Sequence, residues 1–451
     1  MNKKRGFMKR SSRVFFKIIA CAWILVFAAI CQTSAADYDY INISEPFSQK
    51  VPIAVPVFKS MSVAPEEEQI ARDAAGQLAE ALTYTGYFKL IDHGAFLEQP
   101  AKKGVTMEAL NFKNWRDIGA ELLITGGVRY EAGVLQMEFR LFDPFRSELL
   151  VGKRYTSPAD DVRQMVLRFA DQVIARLTGR QGLFESRIAF VGGDADGKAV
   201  YTCDFDGRNL RRLTKQQPIV VGPAWHPDFG SIAYTAYTDD RPEIYMVDTS
   251  SQEVTKLTAF EGINITPAWL PDGSGLAATL AFEGDEEIYL LTPEGKVDKR
   301  LTNSWGVDVS PSFSPDGKKM VFVSSRSGSP QLYVKEISSG RIRRLTYEGR
   351  YNTQPDWSPD GDRIVYSGMK DGSIDIYVVD VNTGEVSRLT RQAGDNEAPS
   401  WSPDGSMIVF SSTRTGSSAL FVMTASGTDQ RMLLDMDAKQ QLPDWSPAKG
   451  N

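Results

Sequence analysis

The chain has 451 residues, 42% of them hydrophobic and 24% charged, with 51 Lys and Arg against 57 Asp and Glu. That length exceeds one ordinary hydrophobic core and calls for at least two domains. The composition excludes a disordered chain or a membrane-embedded one.

The first 36 residues stand apart. Lys3, Lys4, Arg5, Lys9, Arg10, Arg13 and Lys17 form a basic start without an acid, followed by an apolar run from Ile18 to Ile30 and then Thr33-Ser34-Ala35-Ala36. A bilayer-spanning helix needs about 20 apolar residues, so this shorter run reads as the core of a signal peptide, cleaved after Ala35 or Ala36. Residues 1–36 are therefore expected to be lost on export. Their removal leaves 44 Lys and Arg against 57 Asp and Glu, a net charge of −13. Nucleic acid and anionic membrane surfaces are repelled by that balance, whereas a protein with a basic patch is not. Cys21 and Cys31 leave with the signal, and the remaining Cys203 cannot form an intrachain disulfide.

Residues 37–178 read as a mixed α/β domain. Val51 to Phe58 is an apolar strand whose prolines, Pro52 and Pro56, predict an edge position. Pro65 and the acids Glu66, Glu67 and Glu68 open a helix. Ile70, Ala74, Leu78 and Leu82 form its buried stripe, and Gly86 ends it. Strands follow near Tyr87–Ile91, Glu121–Tyr130 and Leu135–Asp143, with a helix near Met107–Ile118. A second amphipathic helix, about Asp160 to Leu177, presents Val162, Val166, Phe169 and Val173, and Gly179 to Gly182 reads as a hinge.

Residues 183–447 are governed by repetition. Pro223-Ala-Trp225, Pro267-Ala-Trp269, Pro311-Ser-Phe313, Pro355-Asp-Trp357, Pro399-Ser-Trp401 and Pro443-Asp-Trp445 recur at steps of 44 without an insertion. Ser-Pro-Asp-Gly turns follow at Ser314, Ser358 and Ser402, and three more short strands complete each unit. Four strands in about 40–45 residues is the pattern of a propeller blade. The first unit lacks its Pro-x-Trp strand, which the far end of the chain supplies, so six blades close into a ring without free edges. The aromatic column is expected to pack between blades.

Catalytic chemistry finds little support. His93 and His226 fall in different domains, no Gly-x-Ser-x-Gly elbow occurs, and the mature chain offers too few His and Cys for a metal site. Gly192 to Lys198 (GGDADGK) imitates a phosphate-binding loop but continues with Ala199 and joins two strands, so it reads as a hairpin turn. No cofactor and no metal is expected. The alternative is a propeller-bearing hydrolase or lactonase-like enzyme, which would need either a missing catalytic domain or a metal site in the channel, marked by clustered carboxylates around a bound ion.

The signal peptide, the Val-Pro-Ile-Ala-Val-Pro-Val-Phe strand, the α/β domain and the Trp-Ser-Pro-Asp-Gly repeats together resemble the TolB family of the Tol-Pal system, over essentially all of residues 37–451. The resemblance implies an anticodon-binding-like α/β domain, without any link to RNA, followed by an all-β six-bladed β-propeller. It implies a periplasmic scaffold, not an enzyme, that joins the lipoprotein Pal to TolA, maintains the outer membrane and supports cell division. Other outer-membrane lipoproteins or porins are also admitted as partners. Pal would dock at the channel mouth, on the loops entering each innermost strand: Asn264 and Thr266, Asp308 and Val309, Asn352, Thr353 and Gln354, Asn396 and Glu397, and Gln440. These polar residues are expected to form a ring of loop-tip hydrogen-bonding groups whose replacement costs little stability. The segment Asp37, Tyr38, Asp39, Tyr40, Ile41 and Ile43 resembles the stretch that engages TolA.

Overall fold

In a computed structural model, residues 50–449 are described, apart from 63, 159–160, 239–240 and 283. The proposed signal peptide and the tail residues Asp37 to Ile43 lie outside them.

The first domain is built on one sheet. In chain order it contains β1 (Val51–Ala54), β2 (Lys59–Ser60), α1 (Pro65–Tyr84), β3 (Phe88–Leu90), α2 (Pro100–Lys103), α3 (Phe112–Asp117), β4 (Leu122–Glu131), β5 (Val134–Asp143), β6 (Glu148–Pro158) and α4 (Val162–Thr178). The strand order is β3-β1-β4-β5-β6, with β2 paired to β4. The expected edge position of the first strand is therefore wrong: β1 lies between β3 and β4, parallel to both. Its prolines cost no ladder bond. Pro52 contributes only its carbonyl, which accepts from Glu121 N, and Pro56 lies beyond the strand.

Pro65 does start α1, with Glu66, Glu67 and Glu68 in its first turn. Glu67 is buried, and its carboxylate accepts from the backbone N–H groups of Met61, Ser62 and Tyr130, tying the helix start to the sheet. The buried stripe is Ala71, Ala74, Ala75, Leu78 and Leu82, while Ile70 is half-exposed. The helix expected over Met107–Ile118 is broken. Leu110 is extended, and Asn111 caps α3 by accepting from Lys113 N, leaving a short 3₁₀ turn before it. β6 escaped the sequence reading because it is a largely exposed edge strand with no clean alternation.

Gly179, at φ 74°, ends α4 in the left-handed conformation and releases the chain toward the second domain. There, six four-stranded sheets follow one another. Their innermost strands are Val220–Trp225, Asn264–Trp269, Asp308–Phe313, Tyr351–Trp357, Asn396–Trp401 and Lys439–Trp445. The last of these pairs with Arg187–Asp194, closing the first blade from the chain's far end. The Gly192–Lys198 segment lies in the hairpin joining Arg187–Asp194 to Gly197–Asp204.

The aromatic column packs between blades. Trp357 clusters with Val321, Leu332 and Val334 of the preceding blade, and Trp401 likewise with Val365, Ile376 and Val378. Burying such aromatic rings gives each seam a large apolar contribution.

The α/β domain sits at the end where the innermost strands finish. Tyr84 Oη donates to Phe205 O at 2.8 Å, and the Arg431 guanidinium lies 4.0 Å from the Tyr84 ring centroid. Arg180 pairs with Asp360 at 2.8 Å and Arg163 with Asp206 at 3.0 Å. All four propeller partners stand in or beside turns at that end, so none of these contacts covers the end where the innermost strands begin.

A chain ending at Ala438 is expected to lose its single cooperative thermal transition and to aggregate, since it bares the inner edge of the first blade. Calorimetry and light scattering of that truncation check this; an unchanged transition would show that closure contributes nothing.

Candidate functional site: the open mouth of the propeller channel

Each innermost strand enters the channel through the same backbone device. Thr266, Ser310, Gln354, Ala398, Leu442 and Gly222 all have φ between 51° and 57°, and each precedes the repeat proline. The pairing register shifts there in every blade, as between Ile265 and Ala268 or Thr353 and Asp356. Such a bulge re-aims the side chains of the strand and ends regular pairing at the rim. Only one of the six positions is glycine, so the other five carry left-handed strain held by the ring around them.

The polar ring read from the sequence is present, but its side chains point inward. Asn264, Asp308, Asn352, Asn396 and Gln440 are all buried. Asn264 Nδ2 donates to Phe260 O and Gly262 O, while its Oδ1 accepts from Phe260 N. Asn352 Nδ2 donates to Gln331 Oε1 and Glu348 O. Asn396 donates to Gly394 O and Asp375 Oδ1 and accepts from Arg414. Asp308 takes a 2.6 Å ion pair from Arg326, and Gln440 Oε1 accepts from Leu420 N. The expectation that these are loop-tip groups of little structural cost is thus corrected. Asn264, Asn352 and Asn396 fold their entry loops back on themselves, Asp308 and Gln440 tie theirs to Arg326 and Leu420, and removing one strands buried partners at about 1–3 kcal/mol.

The residues next to them are the ones left partly open: Thr266, Val309, Thr353, Gln354 and Glu397. Two of these also brace the ring. Thr266 Oγ1 accepts from Ser310 N of the next blade, and Gln354 Oε1 accepts from Ala398 N. Among the described residues, Thr353 and Glu397 make no such bond to a neighbouring blade, and burial together with Asp395 pushes the Glu397 carboxyl up.

Deeper in the channel lies a second ring that the sequence reading missed. Ser312 Oγ accepts from Trp357 N, Asp356 Oδ2 from Trp401 N, Ser400 Oγ from Trp445 N and Asp444 Oδ2 from Trp225 N. Each of these side chains reaches the innermost strand of the following blade. The signal was available: the residue after each repeat proline runs Ala224, Ala268, Ser312, Asp356, Ser400, Asp444. Burial pushes the Asp444 carboxyl up to about 8, opposed by the Trp225 N–H and reinforced by Asp356, and burial pushes Asp356 up to about 6. Among the described residues, no group of three or more His, Cys, Asp or Glu could hold a metal ion. No described helix is long and apolar enough to cross a membrane.

The arrangement defines a class: a two-domain protein in which an α/β domain caps one end of a six-bladed propeller and leaves the other end open. Residues 174–449 match the family described as the TolB beta propeller domain, and residues 39–150 match the TolB amino-terminal domain. The chain belongs to the TolB family. It is 51% identical over 210 residues to the Tol-Pal system protein TolB of Desulfosudis oleivorans, covering 47% of this chain and 48% of that one. It is 37% identical over 207 residues to the namesake from Syntrophus aciditrophicus, covering 45% and 46%. The chain thus spans about half the length of the curated relatives it matches. The crystal structure of TolB from Acinetobacter baumannii superposes with a TM-score of 0.77 at 28% identity, over 89% of this chain and 97% of that one.

The channel acids make stability depend on pH. The folded Asp444 keeps its proton to about pH 8, whereas the ordinary carboxyl releases it near 3.8, so stability falls as pH rises through that window. Asp444→Asn keeps an acceptor for Trp225 N without the charge. Its melting temperature is expected to gain on wild type between pH 5 and pH 8. Parallel melting curves across that range would refute the assignment.

Proposed function

We propose that this protein is a periplasmic binding scaffold of the Tol-Pal envelope system, not a catalyst, and that its channel mouth receives the lipoprotein Pal. The observation carrying this reading is the mouth itself: six bulged entry strands, five of them pinned by a buried amide or, at Asp308, a carboxylate, with the α/β domain at the opposite end. A partner meeting that surface loses little entropy to loop ordering, because the loops are already held. The family name supports membership of the Tol-Pal system, and the Pal and TolA assignments rest on that membership. Thr353 and Glu397 are the residues proposed to touch Pal. Asn264, Asp308, Asn352, Asn396 and Gln440 act one step behind, by shaping the loops.

Replacing Thr353 and Glu397 together with lysine is expected to weaken Pal binding at least tenfold, about 1.4 kcal/mol, with an unchanged melting temperature. Calorimetric titration checks it; full affinity in the double variant removes the mouth from the interface. For the tail, we propose that Asp37, Tyr38, Asp39, Tyr40, Ile41 and Ile43 engage TolA as an extended segment. Deleting Asp37 to Ser44 is expected to abolish capture of TolA while the propeller melts as before. Undiminished capture by the deleted chain would refute that role.

A further inference from the structure

The mouth is not equally apolar all the way round. The residue four before each repeat proline is Ile219, Ile263, Val307, Tyr351, Asp395 and Lys439 in successive blades. Four consecutive blades therefore present an apolar or aromatic side chain there, and the remaining two present charges. Ile219 is 42% exposed, Val307 39% and Tyr351 43%. Within the same entry loops, Trp305 is 74% exposed and Tyr347 73%. A folded protein does not hold two large aromatic rings in water on rigid loops for its own stability, and such residues concentrate where partners bind.

The Trp305 loop is built to display that ring. Between Leu301 and Val307 it contains no charged residue. Ser304 N donates to Glu287 Oε1 at 2.5 Å, Ser304 Oγ donates to Gly306 O, and Val307 N donates to Ser325 Oγ at 2.9 Å. A side chain on Gly306 would strike Arg326 N at 2.8 Å, so the turn around the indole is fixed by close packing. Tyr347 is steadied by the Arg344 guanidinium, 4.9 Å from its ring centroid. It also borders a cleft of about 660 Å³ in the fifth blade, into which Tyr366, Tyr377 and Arg391 face. The Tyr377 hydroxyl is buried there without a hydrogen-bond partner. The equivalent Tyr245 in an earlier blade is satisfied by Glu243 and Thr238, which Asp375 and Lys370 replace around Tyr377.

We propose that this crescent, from Ile219 through Trp305 to Tyr347 and the adjoining cleft, is the anchoring half of the mouth, and that it takes the apolar face of the partner protein. The inference rests on the reading that the mouth is a docking face, and it adds the side on which the partner sits. Trp305 is the central anchor. The crescent is continuous with Val309 and Thr353 at the channel entrance, and a partner seated there covers the uncharged loop first. The side chain that enters the fifth-blade cleft supplies the acceptor that Tyr377 lacks. Asp395 and Lys439 stay at the wet rim.

The test titrates the soluble Pal domain into the full chain carrying Trp305→Ala, Tyr347→Ala or, on the opposite side, Lys439→Ala. Trp305→Ala is expected to weaken binding at least tenfold and Tyr347→Ala at least threefold, with Lys439→Ala changing it less than twofold. All three side chains are exposed, so melting temperatures serve as the control for folding. Unchanged affinity in the two aromatic variants, with binding lost in the Thr353 and Glu397 double variant, overturns the crescent and leaves the mouth standing. Unchanged affinity in every variant overturns both.

Discussion

The seam between Lys439–Trp445 and Arg187–Asp194 decides whether this propeller exists as a ring at all. It joins residues up to 259 positions apart, from Arg187 to Ser446, and Trp445 Nε1 crosses it to donate to Ser186 Oγ at 2.7 Å. Ser186 lies beside the linker from the first domain, so the closing strand also fixes the chain just after the hinge. The innermost strands are then linked blade to blade by side chains accepting from the following tryptophan's N–H, and Asp444 carries that ring across the seam to Trp225. Closing one long loop costs entropy that grows only slowly with its length, whereas the open ring would expose two sheet edges and lose one inter-blade core.

The left-handed residues at the mouth depend on that closure. A single residue such as Thr266 at φ 51° is strained. It is held because its hydroxyl receives the next blade's N–H and because its entry loop is pinned by Asn264. The buried polar groups therefore give the mouth a defined shape more than they add net stability, as satisfied buried networks commonly do. Asn396 illustrates the coupling, since it bonds to Asp375 and Arg414, which belong to different blades.

How much of this could be read from the sequence follows from how local each cause is. The blade count, the hairpin turns and the aromatic column were legible because 44-residue repetition compares the chain with itself. The closing strand was legible by subtraction, from a unit missing its Pro-x-Trp. Asn352 and Asn396 were correctly placed at the mouth, but the direction of their side chains was not. That direction is set by a bulge one blade deep and by partners such as Gln331 and Asp375, about 21 residues away. In the first domain Pro52 and Pro56 misled, because Pro52 joins the sheet through its carbonyl, which accepts from Glu121 N, and Pro56 lies beyond β1. β6 has no pattern to read, being an edge strand with both faces largely wet.

The two ends of the propeller are built on opposite principles, and this bears on what each can do. At the capped end the contacts are charged and aromatic: Arg431 over Tyr84, Arg163 with Asp206, Arg180 with Asp360. Exposed or half-exposed ion pairs of this kind each contribute little, so such an interface can shift at small cost. At the open end the loops are locked by buried hydrogen bonds and leave their apolar side chains unpaired. A partner at the mouth therefore meets a surface that cannot yield, and any adjustment it forces must be taken up elsewhere. Lys50, the first described residue, pairs with Asp429 at 3.2 Å at the same capped end.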